Sequence, residues 1–313
     1  MIHKRSHKDY IHTGLIYIAG LISFTLIAMI AEPIEDKAVG LRLPDAYKKE
    51  IQEKPVPPIF FKHEAFNALD VSARAYVVYD IVDKRIVASK NENLPLPLAS
   101  LTKVMTALTA LSMAPPETLV AINANSKLRG YYDLGLQENQ GWRLDELLKY
   151  SLTFSSNDGM NAIANYFGKD LFVSQMNVFA KSIGKTFAFS DPAGLDNGIQ
   201  LGGLGSAYDV ALMMTEARKK FPNILDATTH TRTNVMTEQG AVRGIPNTNQ
   251  DVANILGIEA SKTGFTDLAG GNLAIITDIS LGRPVAIIVL GSTREGRFKD
   301  AETIYKALLQ SLK

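Results

Sequence analysis

The sequence predicts a mixed α/β (α+β) fold: an antiparallel sheet flanked by helices, an inserted all-helical region, and an N-terminal transmembrane helix ahead of them. Three observations carry this. Runs rich in Val, Ile and Tyr occur at Ala73–Asp80 and Arg85–Ala88 and return only near the end, at Gly257–Lys262, Asn272–Thr277 and Val285–Leu290. Between them apolar residues recur at three and four spacing, the period of a helix with one buried face. A charge-free stretch, Gly14–Ala31, precedes both. Strands at both ends with helices between mean that one sheet gathers distant segments while the helices form a region of their own.

Residues 1–13 contain Lys4, Arg5 and Lys8 and no apolar run. At a rise of ~1.5 Å per residue, Gly14–Ala31 covers roughly 27 Å as a helix, enough for a hydrocarbon core when Tyr10 or Ile11 helps at its edge. The basic side precedes the span, and Glu32, Glu35 and Asp36 follow it. The positive-inside rule then puts residues 1–13 in the cytoplasm and the rest of the chain outside. Cleavage after Ala28 or Ala31 needs a small residue where Leu26 or Met29 stands, so the expectation is an uncleaved signal anchor at residues 14–31 and a single-pass cell-membrane protein. Residues 32–62 are charged and carry Pro33, Pro44, Pro55, Pro57 and Pro58. They read as a spacer, extended at Lys54–Pro58 and with a short helix over Asp45–Glu53.

Residues 63–313 form the expected folded domain. It opens on a strand hairpin turning at Asp83 and Lys84. Helices are expected at Leu101–Met113, Leu144–Leu152, Gly159–Tyr166, Leu171–Ile183 and Tyr208–Lys219, and an amphipathic helix at Arg297–Leu312 closes the chain.

Composition narrows the chemistry. The chain has 313 residues, 46% of them apolar, with 33 Lys plus Arg against 32 Asp plus Glu. It is too hydrophobic for disorder, and it offers no net field for a polyanion, which argues against nucleic acid as a partner. With no cysteine, thiol nucleophiles, thiolate metal sites and disulfides are excluded together. His3, His7 and His12 precede the span, so only His63 and His230 remain for the folded domain. A Ser/His/Asp triad or a histidine-built metal site therefore lacks material, and neither a metal nor a cofactor is expected.

Three short motifs stand in order: Ser100-Leu101-Thr102-Lys103, Ser155-Ser156-Asn157 and Lys262-Thr263-Gly264. A serine hydroxyl becomes a nucleophile only when a neighbouring base accepts its proton, and with histidine scarce that base is a lysine. Three residues apart at the start of a helical run, Ser100 and Lys103 share one face. Lys103 works only while neutral, which calls for burial or a second cation; Lys262 supplies that cation, and Leu98, Leu101 and Val104 the apolar surroundings. Amides at the helix start suit an oxyanion hole. Ser182/Lys185 and Ser89/Asn91 repeat two of the patterns, but neither fits the order, so one solution remains.

With these motifs the sequence resembles the D-alanyl-D-alanine carboxypeptidases of the low-molecular-mass penicillin-binding proteins, in the β-lactamase/transpeptidase-like superfamily. The resemblance covers Pro97–Lys103, Ser155–Asp158, Ser190–Asn197, Gly257–Gly270 and Gly296 with Arg297, running from about Ala73 to the C-terminus. It implies a serine hydrolase that removes the terminal D-alanine from peptidoglycan stem peptides through an acyl-enzyme, with β-lactams as covalent inhibitors. By the same resemblance, Ser100 is the acylated nucleophile, Lys103 its base, and Ser155 a proton relay to the leaving amine. Asn157 holds Lys103 and the substrate amide, while Lys262 and Thr263 bind the terminal carboxylate. Gly264 lets the strand approach, the amide of Phe265 joins that of Ser100 in the oxyanion hole, and Arg297 stands near the carboxylate pocket. The family commonly adds a C-terminal β-rich domain and a terminal amphipathic helix, whereas Lys313 follows directly on the last expected helix; the membrane connection is therefore expected from the N-terminal span. A D,D-endopeptidase shares the motifs and stays open as an alternative. A class A β-lactamase lacks support, since no Glu-x-x-x-Asn element for a deacylating water lies between Asn157 and Lys262. An inactive wall-binding module fits poorly with a complete motif set.

Overall fold

The computed structural model describes residues 59–127 and 136–312. The expected cytoplasmic segment, the span at 14–31 and most of the spacer lie outside the described residues. Among the described residues, no helix is long and apolar enough to cross a membrane.

Five strands build the main sheet: β1 (Ala75–Asp80), β2 (Arg85–Lys90), β3 (Ile258–Thr266), β4 (Gly270–Asp278) and β5 (Pro284–Ser292). Their order across the sheet is β3-β4-β5-β1-β2, and every neighbouring pair is antiparallel. The first hairpin thus joins strands that arrive almost two hundred residues later, as the strand-like runs at both ends required. β1 and β5 read as continuous apolar runs because both faces are covered. Alternate residues serve separate cores. Val77, Ile276, Ala286 and Ile288 face one, with the helical region. Tyr76, Val78, Ile275, Ile287 and Val289 face the other, with Ala301, Ile304 and Leu308 of the last helix.

The helices are α1 (Thr102–Met113), α2 (Leu144–Thr153), α3 (Asn157–Phe167), α4 (Lys169–Ala180), α5 (Ala207–Lys220), the short α6 (Pro222–Asp226) and α7 (Gly296–Ser311). Each long one overlaps its expected range. α1 is buried at every position from Thr102 to Ala110, so it runs through the first core as its central rod. α7 covers the opposite face, and residues 61 and 62 are tied to its end: Phe61 bridges Leu312, and Lys62 N donates to Ser311 O at 2.8 Å. Short strands at 96–97, 188–189 and 203–205 pair beside α1, and a hairpin at 232–236 and 242–246 lies against α2.

Two consequences matter for the site. β3 is an edge strand, so one side of its backbone is free to face something other than a strand. The turn entering α1 is what faces it: a Cβ built on Gly264 would lie 2.9 Å from Leu98 O and 3.3 Å from Ser100 N.

At the far end of the sheet, buried Asp80 accepts the amides of Val82 and Asp83 at 3.0 Å and caps the β1–β2 turn. Arg283, 1% exposed, forks onto Asp83 with two 3.0 Å bonds and stands 3.9 Å from Asp80. Asp83 is held below the usual carboxylate range, chiefly by its hydrogen bond to Arg283. Removing this cation leaves buried Asp80 with only the part-exposed Arg85, 3.9 Å away, as counter-charge, so Arg283→Ala should cost about 2 kcal/mol in urea unfolding at neutral pH. A loss below about 1 kcal/mol would show that solvent already carries this charge.

Candidate active site

Ser100 sits in a single 3-10 turn, Ala99–Leu101, that runs straight into α1. Ala99 adopts φ +48, an uncommon left-handed conformation for a residue with a side chain. The turn is held from behind: Leu98 N donates to Gly203 O at 2.8 Å, and buried Asn272 donates to Pro97 O at 2.9 Å while accepting Gly291 N at 2.8 Å. Lys103 follows within the first turn of α1 and is fully buried. Its Nζ donates to Ser100 Oγ at 2.8 Å, Asn157 Oδ1 at 2.8 Å and Ala193 O at 2.7 Å.

The second motif occupies the bend between α2 and α3. Ser155 adopts φ +64 there, which turns its side chain into the cleft, and Ser156 caps α3 by accepting Gly159 N at 2.8 Å. The third motif is on β3. Lys262, 2% exposed, donates to Ser155 Oγ at 2.9 Å and to Thr263 O at 2.8 Å. Thr263 Oγ1 lies 2.7 Å from Thr248 Oγ1. Arg297, at the start of α7 and 8% exposed, donates through Nη1 to Gly264 O at 2.7 Å. Phe265 lines the cleft, with the Arg294 guanidinium 4.5 Å over its ring. Ser100, Ser155, Asn157 and Phe265 open onto one cleft of about 460 Å³.

The three motifs, spread from residue 100 to residue 264, are therefore one constellation. Two lysines converge on two serine hydroxyls, Lys103 on Ser100 and Lys262 on Ser155. Burial pushes Lys262 well below the ordinary lysine value, and the charges of Lys103 and Arg297 push it the same way. Arg297 is lowered as well, chiefly by burial. Sequence reasoning passed over Ala193, Thr248 and Asn272. The first acts through a backbone carbonyl, and the other two become informative only once β3 and β4 are placed beside the turn.

The arrangement suits nucleophilic chemistry. If Nζ of Lys103 keeps two N–H bonds on the oxygens of Asn157 and Ala193, its remaining tetrahedral position points at Ser100 Oγ, where a lone pair accepts the hydroxyl proton. Among the described residues, no group of three or more His, Asp or Glu side chains is placed to hold a metal.

This fold and site define a serine acyl-enzyme hydrolase of the penicillin-binding class. A family model described as D-alanyl-D-alanine carboxypeptidase, peptidase S11, matches residues 62–294, and the chain belongs to that family. A D-alanyl-D-alanine endopeptidase of Pseudomonas aeruginosa is 31% identical over 229 residues, covering 71% of this chain and 72% of the relative. The D-alanyl-D-alanine carboxypeptidase DacF of Bacillus subtilis is 26% identical over 251 residues, 77% of this chain and 64% of the relative. Penicillin-binding protein D2 of Listeria monocytogenes, solved in an ampicillin-bound form, superposes with a TM-score of 0.68 at 26% identity, covering 77% of this chain and 99% of that one.

Lys262 generates a pH prediction. Its folded pKa is depressed, so between that value and the ordinary 10.5 the unfolded chain binds more protons than the folded one, and stability rises with pH across that window. Lys262→Met removes the buried charge at similar volume. The variant should unfold at higher urea than wild type at pH 7, with the advantage shrinking as pH approaches 10.5. An advantage independent of pH would show that packing, and not charge, sets the difference. A second prediction concerns Gly264→Ala. Its Cβ meets backbone at 2.9 Å and forces β3 away from Ser100, so penicillin acylation should slow by roughly a hundred-fold in stopped-flow measurements while far-ultraviolet circular dichroism is unchanged.

Proposed function

We propose that this protein is a serine-type D-alanyl-D-alanine carboxypeptidase of the cell wall, trimming the terminal D-alanine from peptidoglycan stem peptides. The observation that carries the reading is the 2.8 Å contact between buried Lys103 Nζ and Ser100 Oγ, the latter on the wall of a cleft shared with Ser155 and Asn157.

Ser100 Oγ attacks the carbonyl carbon between the last two D-alanines as Lys103, in its neutral form, takes the hydroxyl proton. The oxyanion develops beside the amides of Ser100 and Phe265, where the glycine at 264 permits close approach of β3. Ser155 relays to the departing amine the proton that Lys103 took from Ser100, which leaves both Ser155 protonated and Lys103 neutral again. Lys262 and Thr263 grip the terminal carboxylate, whose charge compensates a cation that burial otherwise disfavours. Arg297 adds positive charge at the same end of β3, through a guanidinium held on Gly264 O. Water then hydrolyses the acyl-enzyme. β-Lactams enter the same route and stop at the ester, which makes them covalent inhibitors.

A second reading is a D,D-endopeptidase acting on cross-links, favoured by the name of the Pseudomonas aeruginosa relative. We also propose that residues 14–31 anchor the chain in the cell membrane, with residues 32–62 as spacer and residues 63–313 as the extracytoplasmic catalytic domain. The charge-free span and its basic N-terminal flank support this.

Fluorescent penicillin should label the wild type and leave Ser100→Ala unlabelled. Lys103→Arg keeps the charge but cannot deprotonate, and it should acylate at least ~100-fold more slowly. Incubation with purified muropeptides should release free D-alanine from pentapeptide monomers. Conversion of dimers to monomers without free D-alanine would replace the first reading by the second, and an unlabelled wild type would refute both.

A further inference from the structure

Of the segments that carry the resemblance, Ser190–Asn197 has been given no role beyond the Ala193 carbonyl, and it opens a loop at residues 190–202. It lies between α1 and β3 and touches both. On the α1 side, two consecutive carbonyls of the loop are read by residues one helical turn apart: Pro192 O accepts Thr106 Oγ1 at 2.6 Å, and Ala193 O accepts Lys103 Nζ at 2.7 Å. Gly194, at φ +76, packs so closely on the turn before α1 that a Cβ would lie 2.0 Å from Ala99 O. Asp191 folds the loop on itself, accepting Ala193 N at 2.8 Å and Leu195 N at 3.1 Å.

On the other side the side chain of Asp196 connects the loop to β3. Asp196 accepts Gly202 N at 2.9 Å through Oδ1, which closes the loop, and Thr266 Oγ1 at 2.6 Å through Oδ2. Thr266 ends β3, two residues beyond Gly264, and its hydroxyl also accepts Ala269 N at 3.1 Å. With its oxygen committed to that amide, the Thr266 proton is directed onto the carboxylate, a charge-assisted bond whose partners come from different parts of the chain. Helix, loop and edge strand are thereby linked in a ring, and Lys103, Ala193, Asp196 and Thr266 are successive points on it.

We infer that Asp196 is a positioning residue for Lys103: its bond to Thr266 holds the loop against β3 at the height where the Ala193 carbonyl orients the lysine amine toward Ser100. The inference rests on the proposed serine peptidase reading, in which Lys103 takes the Ser100 proton. Without the clamp, the loop is still packed on α1 through Gly194 and Thr106 but has lost its support from the strand. The Ala193 oxygen then shifts, and the amine, with one fixed acceptor fewer, spends less time aligned on the hydroxyl. Substrate binding through Lys262 and Thr263 on β3 does not depend on this carbonyl. Asp196 and Thr266 also line the cleft, so the clamp is distinguished from a direct contact with substrate by acting on the bond-forming step more than on affinity.

Thr266→Val and Thr266→Ser test this in the full-length protein, with Asp196→Ala and the double variant Asp196→Ala/Thr266→Val alongside. Stopped-flow acylation by a fluorescent penicillin over a range of concentrations separates the limiting acylation rate from the affinity of the pre-acylation complex. Thr266→Val should lower the limiting rate roughly ten- to a hundred-fold with affinity within about twofold of wild type, since small misplacements of a reacting group cost this much. Thr266→Ser, which keeps the hydroxyl, should restore most of the rate, and the double variant should be no slower than the slower single one. A limiting rate within twofold of wild type in Thr266→Val, an effect confined to affinity, or losses that multiply in the double variant would each overturn the clamp. A wild type that is not acylated at all would instead overturn the peptidase reading beneath it.

Discussion

Everything at this site depends on keeping two lysine amines inside the protein, close enough to feel one another. An ammonium group taken from water loses several kcal/mol of solvation unless fixed oxygens replace it. Lys103 is given three such oxygens from three separate segments: the turn before α1, the start of α3 and the 190–202 loop. Lys262 receives a hydroxyl and a carbonyl while also facing the charges of Lys103 and Arg297. The fold spends its precision on bringing these segments together, and the sheet exists at this corner to present β3 as a free edge to them. Two positions in unusual backbone conformations, Ala99 and Ser155, sit at the serines the lysines touch, where the surrounding packing over-determines them.

Much of the fold was readable from residues alone, and the reason is period. The helices α1 to α5 carry apolar residues at helical spacing, and β1, β4 and β5 carry unbroken apolar runs because each of their faces belongs to a different core. What the sequence did not reveal are elements whose partners decide them. The strands at 96–97, 188–189 and 203–205 are two or three residues long and exist only through pairing beside α1. The hairpin at 232–246 buries Val235 and Ile245 but few other side chains, too little alternation to announce itself. Helix starts differed for a similar reason: Ser100 lies in a 3-10 turn ahead of α1, since the backbone there is bent to meet Gly203 and β3.

The site divides the same way. Serines, lysines and an asparagine at characteristic spacings are visible as letters. The groups that hold them are not, because a carbonyl such as that of Ala193 belongs to every residue type. Thr248, whose hydroxyl meets that of Thr263, comes from a segment with no periodic signal, and Asn272 looks from sequence like one polar residue in a strand. For Gly264 the resemblance implied a close approach of the strand, but what it approaches, the carbonyl of Leu98 and the amide of Ser100, appears only once β3 is placed against the turn. Lys262 entered as a helper that makes Lys103 less basic. Its own pKa is held down, first by burial and then by the charges of Lys103 and Arg297, which the letters of the sequence do not show.

In the proposed mechanism the Lys103 amine gives up its proton to become the base for Ser100. It is tested most directly by following the side-chain nitrogen of Lys103 in protein labelled with ¹⁵N-lysine, assigned through a Lys103→Arg variant, across the pH range over which penicillin acylation switches on. Loss of a proton from this nitrogen and the rise of the acylation rate should follow the same curve. A nitrogen that remains fully protonated at a pH where acylation already proceeds at its maximal rate would contradict it.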